Sequence, residues 1–214
     1  MNRLSLNDAR IITPDEDIPR GGVLVEGGAI AALGPGLAPP PGAETVDLAG
    51  LTLVPGYIDL HVHGGGGFSL TTHGQEEIEK YAAWAAGSGV TSFLAAVCAA
   101  GLEEGLEFVR VAALAAGTKP GGAACLGVNL EGPFINPGRR GALPASWAIP
   151  PDSRTLDGIV QSSGGWLKLM TVAPEMPGAD RLIRGAVARG VVVSVGHTDA
   201  DYDTALRAFE SGAT

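Results

Sequence analysis

The stretch Val54-Pro55-Gly56-Tyr57-Ile58-Asp59-Leu60-His61-Val62-His63 decides how the 214-residue chain is read: an apolar run ends in two histidines separated by one residue. In an extended segment alternate side chains share a face, so His61 and His63 project together, as a chelate requires. The glycines Gly64 to Gly67 that follow allow a sharp turn and are expected to leave open space above the two rings. A buried strand that merely ends in polar residues before a glycine loop has the same local pattern. Acidic and histidine segments further along separate the two readings. Asp59 reads as structural.

Downstream, strands alternate with helices. Residues 51–60 form an almost continuous apolar run, the kind of strand buried on both faces of a parallel sheet. A helix is expected over 75–86, with Thr72 as its cap and Gly87 as its stop. A strand over 90–97, a helix over 102–116 and a strand over 124–130 follow, the last running directly into Glu131. A long loop over 132–151 and a short helix near 154–161 precede a strand at 167–172, a helix at 179–188, a strand at 191–195 and a helix at 200–210. This βαβα succession implies a parallel sheet with helices outside it. No Gly-x-Gly-x-x-Gly loop follows the first strand, as an open dinucleotide-binding sheet would favour. His61 and His63, Glu131 and His197 instead end three different strands, the arrangement of a (β/α)8 barrel whose chemistry sits at the carboxyl ends. Five strands by Thr214 make the barrel partial, in an α/β fold.

Upstream, residues 1–50 read as short strands: 10–12, then 23–26 and 29–33 paired through Gly27-Gly28, with a proline-rich loop over 35–42. The expected organisation is a small β-sandwich segment, 1–50, followed by the first part of a metal-dependent barrel, 51–214. Two or three strands bury too little surface to stand alone.

Composition narrows the function classes. A net charge of -9 argues against nucleic acid, whose phosphates are met by clustered Lys and Arg. No stretch reaches the roughly 20 apolar residues of a membrane span, and the start lacks the apolar core of a secretory signal. Cys98 and Cys125 are far apart without metal spacing and read as reduced core residues of a cytoplasmic protein. His61, His63, Glu131 and His197 supply the imidazole and carboxylate ligands of a hydrolytic metal site. His73 precedes a helix and reads as exposed or capping, unless its loop approaches the barrel mouth. Arg139 and Arg140 suit either a phosphate or a solvated loop. Glu175 is equally compatible with orienting a ligand and with a structural role. Trp84, Trp147 and Trp166 lack stacking spacing and are expected to pack. Asp199, Asp201 and Asp203 read as N-terminal caps of the last helix.

The residues Pro55-Gly56-Tyr57-Ile58-Asp59-Leu60-His61-Val62-His63-Gly64 resemble the opening signature of the amidohydrolase superfamily. Three further segments are similar to the N-acetylglucosamine-6-phosphate deacetylase family: Asn129-Leu130-Glu131-Gly132-Pro133-Phe134-Ile135-Asn136 with Gly141-Ala142, Thr171-Val172-Ala173-Pro174-Glu175, and Val195-Gly196-His197-Thr198. The resemblance implies a partial barrel joined to a β-sandwich and a divalent metal, most often zinc, as one or two ions. Glu131 and His197 match the principal ligands, and His61 with His63 a second, variable position. It implies hydrolysis of the acetamide of N-acetylglucosamine 6-phosphate to glucosamine 6-phosphate and acetate, by a homo-oligomeric whole enzyme; the alternatives are a truncated, non-catalytic remnant of such an enzyme and an amidohydrolase with a different N-acyl substrate. Ala142 and Leu143 fall where a Gly-Ala-His segment is expected to touch substrate, with leucine in place of that histidine. The family's next metal-binding histidine, its phosphate contacts and its catalytic aspartate are expected beyond Thr214, so no general acid or base is assigned within the chain.

Overall fold

The computed structural model describes residues 3–118 and 121–214, in two compact units, residues 1–56 and 57–214. In the first, β1 (Arg3–Ile12) lies antiparallel to β2 (Asp17–Glu26), which pairs antiparallel with β3 (Ala29–Gly34). Gly27 and Gly28, at φ 60° and 83°, make the tight turn between them, a conformation that side chains with a Cβ resist. On the other side of β1, β4 (Glu44–Asp47) and β5 (Thr52–Leu53) run parallel to it. β1 is longer than the three residues expected, and β4 was not expected, because its Glu-Thr-Val-Asp sequence contains no apolar run. Ala9, Ile11, Ile18 and Val23 form a small core, with Leu6, Val25, Leu48 and Leu53 against it.

The apolar run read as one strand over 51–60 divides in two. Thr52–Leu53 pairs with β1, whereas the second unit begins with β6 (Tyr57–Val62). Pro55 lies between them and has no N–H to continue a ladder. Residues 51–56 therefore fold with the first unit.

In the second unit a two-residue hairpin, β7 (Gly64–Gly65) and β8 (Phe68–Ser69), leads into α1 (Gln75–Ala86). The chain then alternates: β9 (Val90–Val97), α2 (Leu102–Ala115), β10 (Ala124–Leu130), α3 (Ser153–Ser162), β11 (Leu167–Val172), α4 (Ala179–Val187), β12 (Val192–Val195) and α5 (Tyr202–Glu210). Five strands are parallel in the order β12-β11-β10-β9-β6, so α1 to α4 each connect neighbours in the manner of a (β/α)8 barrel, here a half-barrel. Helix α1 buries Ile78, Tyr81, Ala82 and Ala85, a spacing that fits one face of a 3.6-residue helix. Asp152 caps α3 by accepting from the Thr155 amide at 2.8 Å, and Asp201 caps α5 through Thr204 at 2.9 Å. Thr72 does not cap α1: its hydroxyl accepts from the amide of Gly74, which is itself the N-cap. Among the described residues, no helix is long and apolar enough to cross a membrane.

Three of the four glycines after His63 serve packing, and only Gly67 faces open space. A Cβ on Gly65 or Gly66 would lie 2.6 or 2.5 Å from the Trp84 ring, which covers the hairpin, and one on Gly64 would lie 2.2 Å from the Phe68 carbonyl oxygen. Trp147 is buried and seated on α2, where a Cβ on Gly105 would come within 2.5 Å of its ring. β6 departs from the doubly buried strand expected: Ile58 and Leu60 are 60% and 53% exposed, because β6 is the terminal strand of its sheet. Val192 on the opposite terminal strand is also exposed. Apolar strand edges of this kind template association. The 214-residue chain purified alone is expected to show concentration-dependent light scattering, lessened by the double change Ile58→Lys and Leu60→Lys. Equal scattering from the double variant would contradict an edge-driven contact.

Candidate metal centre

Glu131 is the first residue past β10, and its amide still donates to the Val97 carbonyl at 2.9 Å, extending the ladder with β9. Its own carbonyl accepts from Trp147 Nε1 at 2.6 Å. Gly132, at φ 95°, then turns the chain away, and a Cβ there would lie 2.9 Å from that same nitrogen. The carboxylate is thus delivered on a backbone held from both sides, in a residue only 9% exposed.

Three histidines surround it. His63 Nε2 lies 2.8 Å from Oε2, His197 Nε2 lies 2.7 Å from Oε1, and His61 Nε2 stands further off at 3.8 Å from Oε1. The His61 and His63 rings meet edge to face, with centroids 5.1 Å apart. His61, His63 and Glu131 each offer a ligand atom within 4.8 Å of the others. His197 joins through the opposite oxygen of the same carboxylate.

His197 reaches that position through an unusual backbone. Its φ is 49°, in the left-handed region that residues with a Cβ seldom adopt, at a cost of about 1–2 kcal/mol. Three contacts hold it there: Nδ1 against the Arg139 carbonyl at 3.0 Å, its carbonyl accepting from the Asn136 amide at 3.0 Å, and Gly196 pressed on Thr171. A local departure of this kind clusters where a side chain must be aimed.

Glu175 does not reach the cluster. Its carboxylate accepts from Asn136 Nδ2 at 2.8 Å, from the Asp199 amide at 2.7 Å and from the Thr198 hydroxyl, tying together the loops that follow β10, β11 and β12. Burial raises its pKa, but those donors outweigh it and hold the carboxyl below its ordinary value. Arg139 pairs with Asp199 at 2.6 Å, and Arg140 donates to the carbonyls of Gly141 and Leu143. Of the three aspartates read as caps, only Asp201 plays that part at its side chain. His73 pairs with Glu107 at 2.8 Å and is exposed. Ala142 is exposed beside Gly141, whose Cβ position lies 3.8 Å from His197 Cε1. Leu143 is 7% exposed and packs within the main core, so its side chain offers substrate no surface. Both cysteines are free thiols. Cys125 is buried, which pushes its thiol up, whereas Cys98, one residue beyond β9, lies against the His63 ring. Neither Cys98 nor Asn129, whose Nδ2 lies 3.0 Å from His61 Nδ1, carries a motif that announces it. Only the alternation of strand faces, counted back from Glu131 and His63, could have placed them here.

The rings and the carboxylate shift one another strongly. His63 holds the Glu131 carboxyl down at about 2, against burial and with help from His197. In return the Cys98 sulfur and then the Glu131 carboxylate draw His63 up to about 10, against desolvation. One carboxylate and several imidazole nitrogens also form the donor set that suits a divalent ion of the zinc type, which takes the place of the shared protons.

Two outcomes are expected from these contacts. In chelator, the contribution of Glu131 to stability is complete above pH 4.5 and is lost as pH falls toward about 2. That of His63 is complete below pH 6.5 and is lost as pH rises through about 10. Thermal unfolding against pH should therefore show a plateau with two falling limbs, both flattened in Glu131→Gln; unchanged limbs in that variant would contradict the pairing. Gly196→Ala places a methyl 2.8 Å from Thr171 Cγ2. A loss of about 1–3 kcal/mol is expected in denaturant unfolding, recovered when Thr171→Ser removes the opposing methyl.

No family model matches the chain. The N-acetylglucosamine-6-phosphate deacetylase of Bacillus subtilis (strain 168) is 32% identical over 215 residues, covering 99% of this chain and 54% of that protein. The N-acetylgalactosamine-6-phosphate deacetylase of Escherichia coli O157:H7 is 33% identical over 161 residues, covering 75% of this chain and 43% of that protein. Among solved structures, a D267A mutant of N-acetyl-D-glucosamine-6-phosphate deacetylase from Mycobacterium smegmatis, in complex with N-acetyl-D-glucosamine-6-phosphate, matches with a TM-score of 0.91 and 31% identity. That match covers 100% of this chain and 55% of the mycobacterial one. The chain thus spans about half the length of the relatives it matches. Over that half, in sequence and in fold, it is a homologue of the N-acetylglucosamine-6-phosphate deacetylases, enzymes of the amidohydrolase family.

Proposed function

We propose that this chain carries the metal-binding half of a deacetylase that hydrolyses the acetamide of N-acetylglucosamine 6-phosphate to glucosamine 6-phosphate and acetate. The observation that carries this reading is the Glu131 carboxylate gripped by His63 and His197 at 2.8 and 2.7 Å, at the carboxyl ends of the strands. An amide is a poor electrophile. A divalent ion, zinc by its N and O donors, supplies when bound the polarisation of the carbonyl and the acidification of water that such a substrate needs. Glu131, His197 and His63 hold the ion in this reading, with His61 at its edge. The chain's own residues do the positioning: Trp147 and Val97 fix the Glu131 backbone, Arg139 fixes the His197 ring, and Glu175 ties the loops that frame the mouth.

A second reading, a deacetylase or related amidohydrolase with a different N-acyl substrate, is favoured by one observation. Leu143 stands where a histidine donor is expected and is packed into the core, so the donor is lost and no side-chain movement restores it. The name of the Escherichia coli relative points to an epimeric sugar as the first alternative to try.

Zinc titration by calorimetry and acetate release from both sugar phosphates test the two readings together. Zinc binding is expected, weakened at least about tenfold in Glu131→Gln. The 214-residue chain alone is expected to release no acetate, and acetate from the galactosamine ester in preference, by a longer form of the protein, would favour the second reading. Robust turnover by the isolated chain would overturn the need for further residues, and absence of zinc binding would overturn the metal reading itself.

A further inference from the structure

Strand β6 does not keep even register with its neighbour. On β9, Phe93 and Ala95 are two residues apart and share the helix-facing side, where Phe93 meets the Tyr81 ring of α1 with centroids 4.9 Å apart. Their partners on β6 are Asp59 and Val62, three residues apart, so β6 carries one residue more than β9 over this span. Both partners nonetheless lie on the helix side. Asp59 is close enough to Tyr81 to add to burial in raising the phenol's pKa, and Val62 packs against the main core.

The extra residue decides where the histidines point. In an unbroken strand His61 and His63 would share the face of Asp59 and look out toward the helices, because every second position lines one side. The bulge reverses that count after Asp59. His61 and His63 therefore turn to the inner side, where Asn129 pairs with Ala96 and Glu131 meets His63.

A bulge leaves backbone groups without ladder partners, and here two side chains take them up. Asn129 Nδ2 donates to the Leu60 carbonyl at 2.8 Å, and Asp59 Oδ1 accepts from the His61 amide at 3.2 Å. The Asn129 contact runs from β10 across β9 to β6. It fits because Ala96, in register with Asn129, puts only a methyl in the way. Asn129 is 1% exposed, and its Oδ1 has no hydrogen-bond partner among the described residues, so its nitrogen alone accounts for a polar side chain at that place. The same nitrogen stands 3.0 Å from His61 Nδ1, which braces the ring as well as the backbone before it.

We propose that Asn129 and Asp59 are positioning residues that hold the β6 bulge, and that this bulge is what turns His61 and His63 inward onto Glu131. The placement of the rings needs no ion. Only the use made of them rests on the metal reading above.

Inter-strand proton contacts in the labelled, metal-free 214-residue chain read the register directly. Val62 is expected opposite Ala95, with the Asn129 side-chain amide protons close to Leu60. Finding His61 opposite Ala95 overturns the proposal, whether or not zinc binds. Zinc affinity of the folded variants is the second measurement. Asn129→Leu keeps the shape and removes the donor, Asp59→Ala removes the acceptor, and each is expected to raise the zinc dissociation constant at least about tenfold. Asp59→Asn keeps an oxygen for the His61 amide while losing the charge, and is expected to stay near the parent value. An equal loss in Asp59→Asn and Asp59→Ala would assign Asp59 a purely electrostatic effect and overturn the proposal, as would unchanged affinity in Asn129→Leu. A parent chain that shows the bulged register and binds no zinc supports the bulge and overturns the metal reading instead.

Discussion

A single carboxylate bridges side chains that reach it from opposite parts of the half-barrel. Glu131 lies next to His63 on one oxygen and His197 on the other, so strands β6, β10 and β12 meet at one residue. β10 is central in the order β12-β11-β10-β9-β6, which makes it the one strand from which a short acidic side chain can meet partners from both sides. Were Glu131 carried on a terminal strand, one of the histidines would be out of reach.

The surrounding structure keeps that carboxylate in place. Trp147 is seated on the glycine face of α2 and holds the Glu131 carbonyl, so helix packing bears on the site through one indole nitrogen. Gly132 has to be glycine both for its positive φ and for the indole beside it. On the far side, Glu175 collects three donors from two other loops and fixes the segment that places His197 in its left-handed backbone. The polar residues at the mouth thus divide into those that grip a cation and those that hold the grippers. A carboxylate of each kind is present: Glu131 faces imidazoles, and Glu175 faces amides and a hydroxyl.

Much of the second unit was legible from residue patterns. A β-strand rich in branched residues, a helix with apolar residues every three or four positions and a glycine stop are local signals, and the succession from β9 to α5 follows them closely. Strand ends carrying His61, His63, Glu131 and His197 were legible for the same reason, since the end of an apolar run is itself a local feature. Less legible was the fate of the run over 51–60. Apolar character does not say which sheet a strand joins, and the missing N–H of Pro55 divided it between two. The glycine run after His63 misled in a similar way: glycine signals close approach or open space equally, and Trp84 decided for close approach.

What the sequence by itself determined is the parallel βα alternation and the kinds of ligand atom at the strand ends, because both depend only on spacing along the chain. Tertiary structure alone decided how those atoms are used. His61 Nδ1 meets the amide nitrogen of Asn129, 68 residues away, at 3.0 Å, and Leu143 is turned into the core by the packing of its loop. Which group a ring nitrogen meets, and which way a side chain turns, depend on neighbours brought together by strand register, and register is a property of the folded sheet.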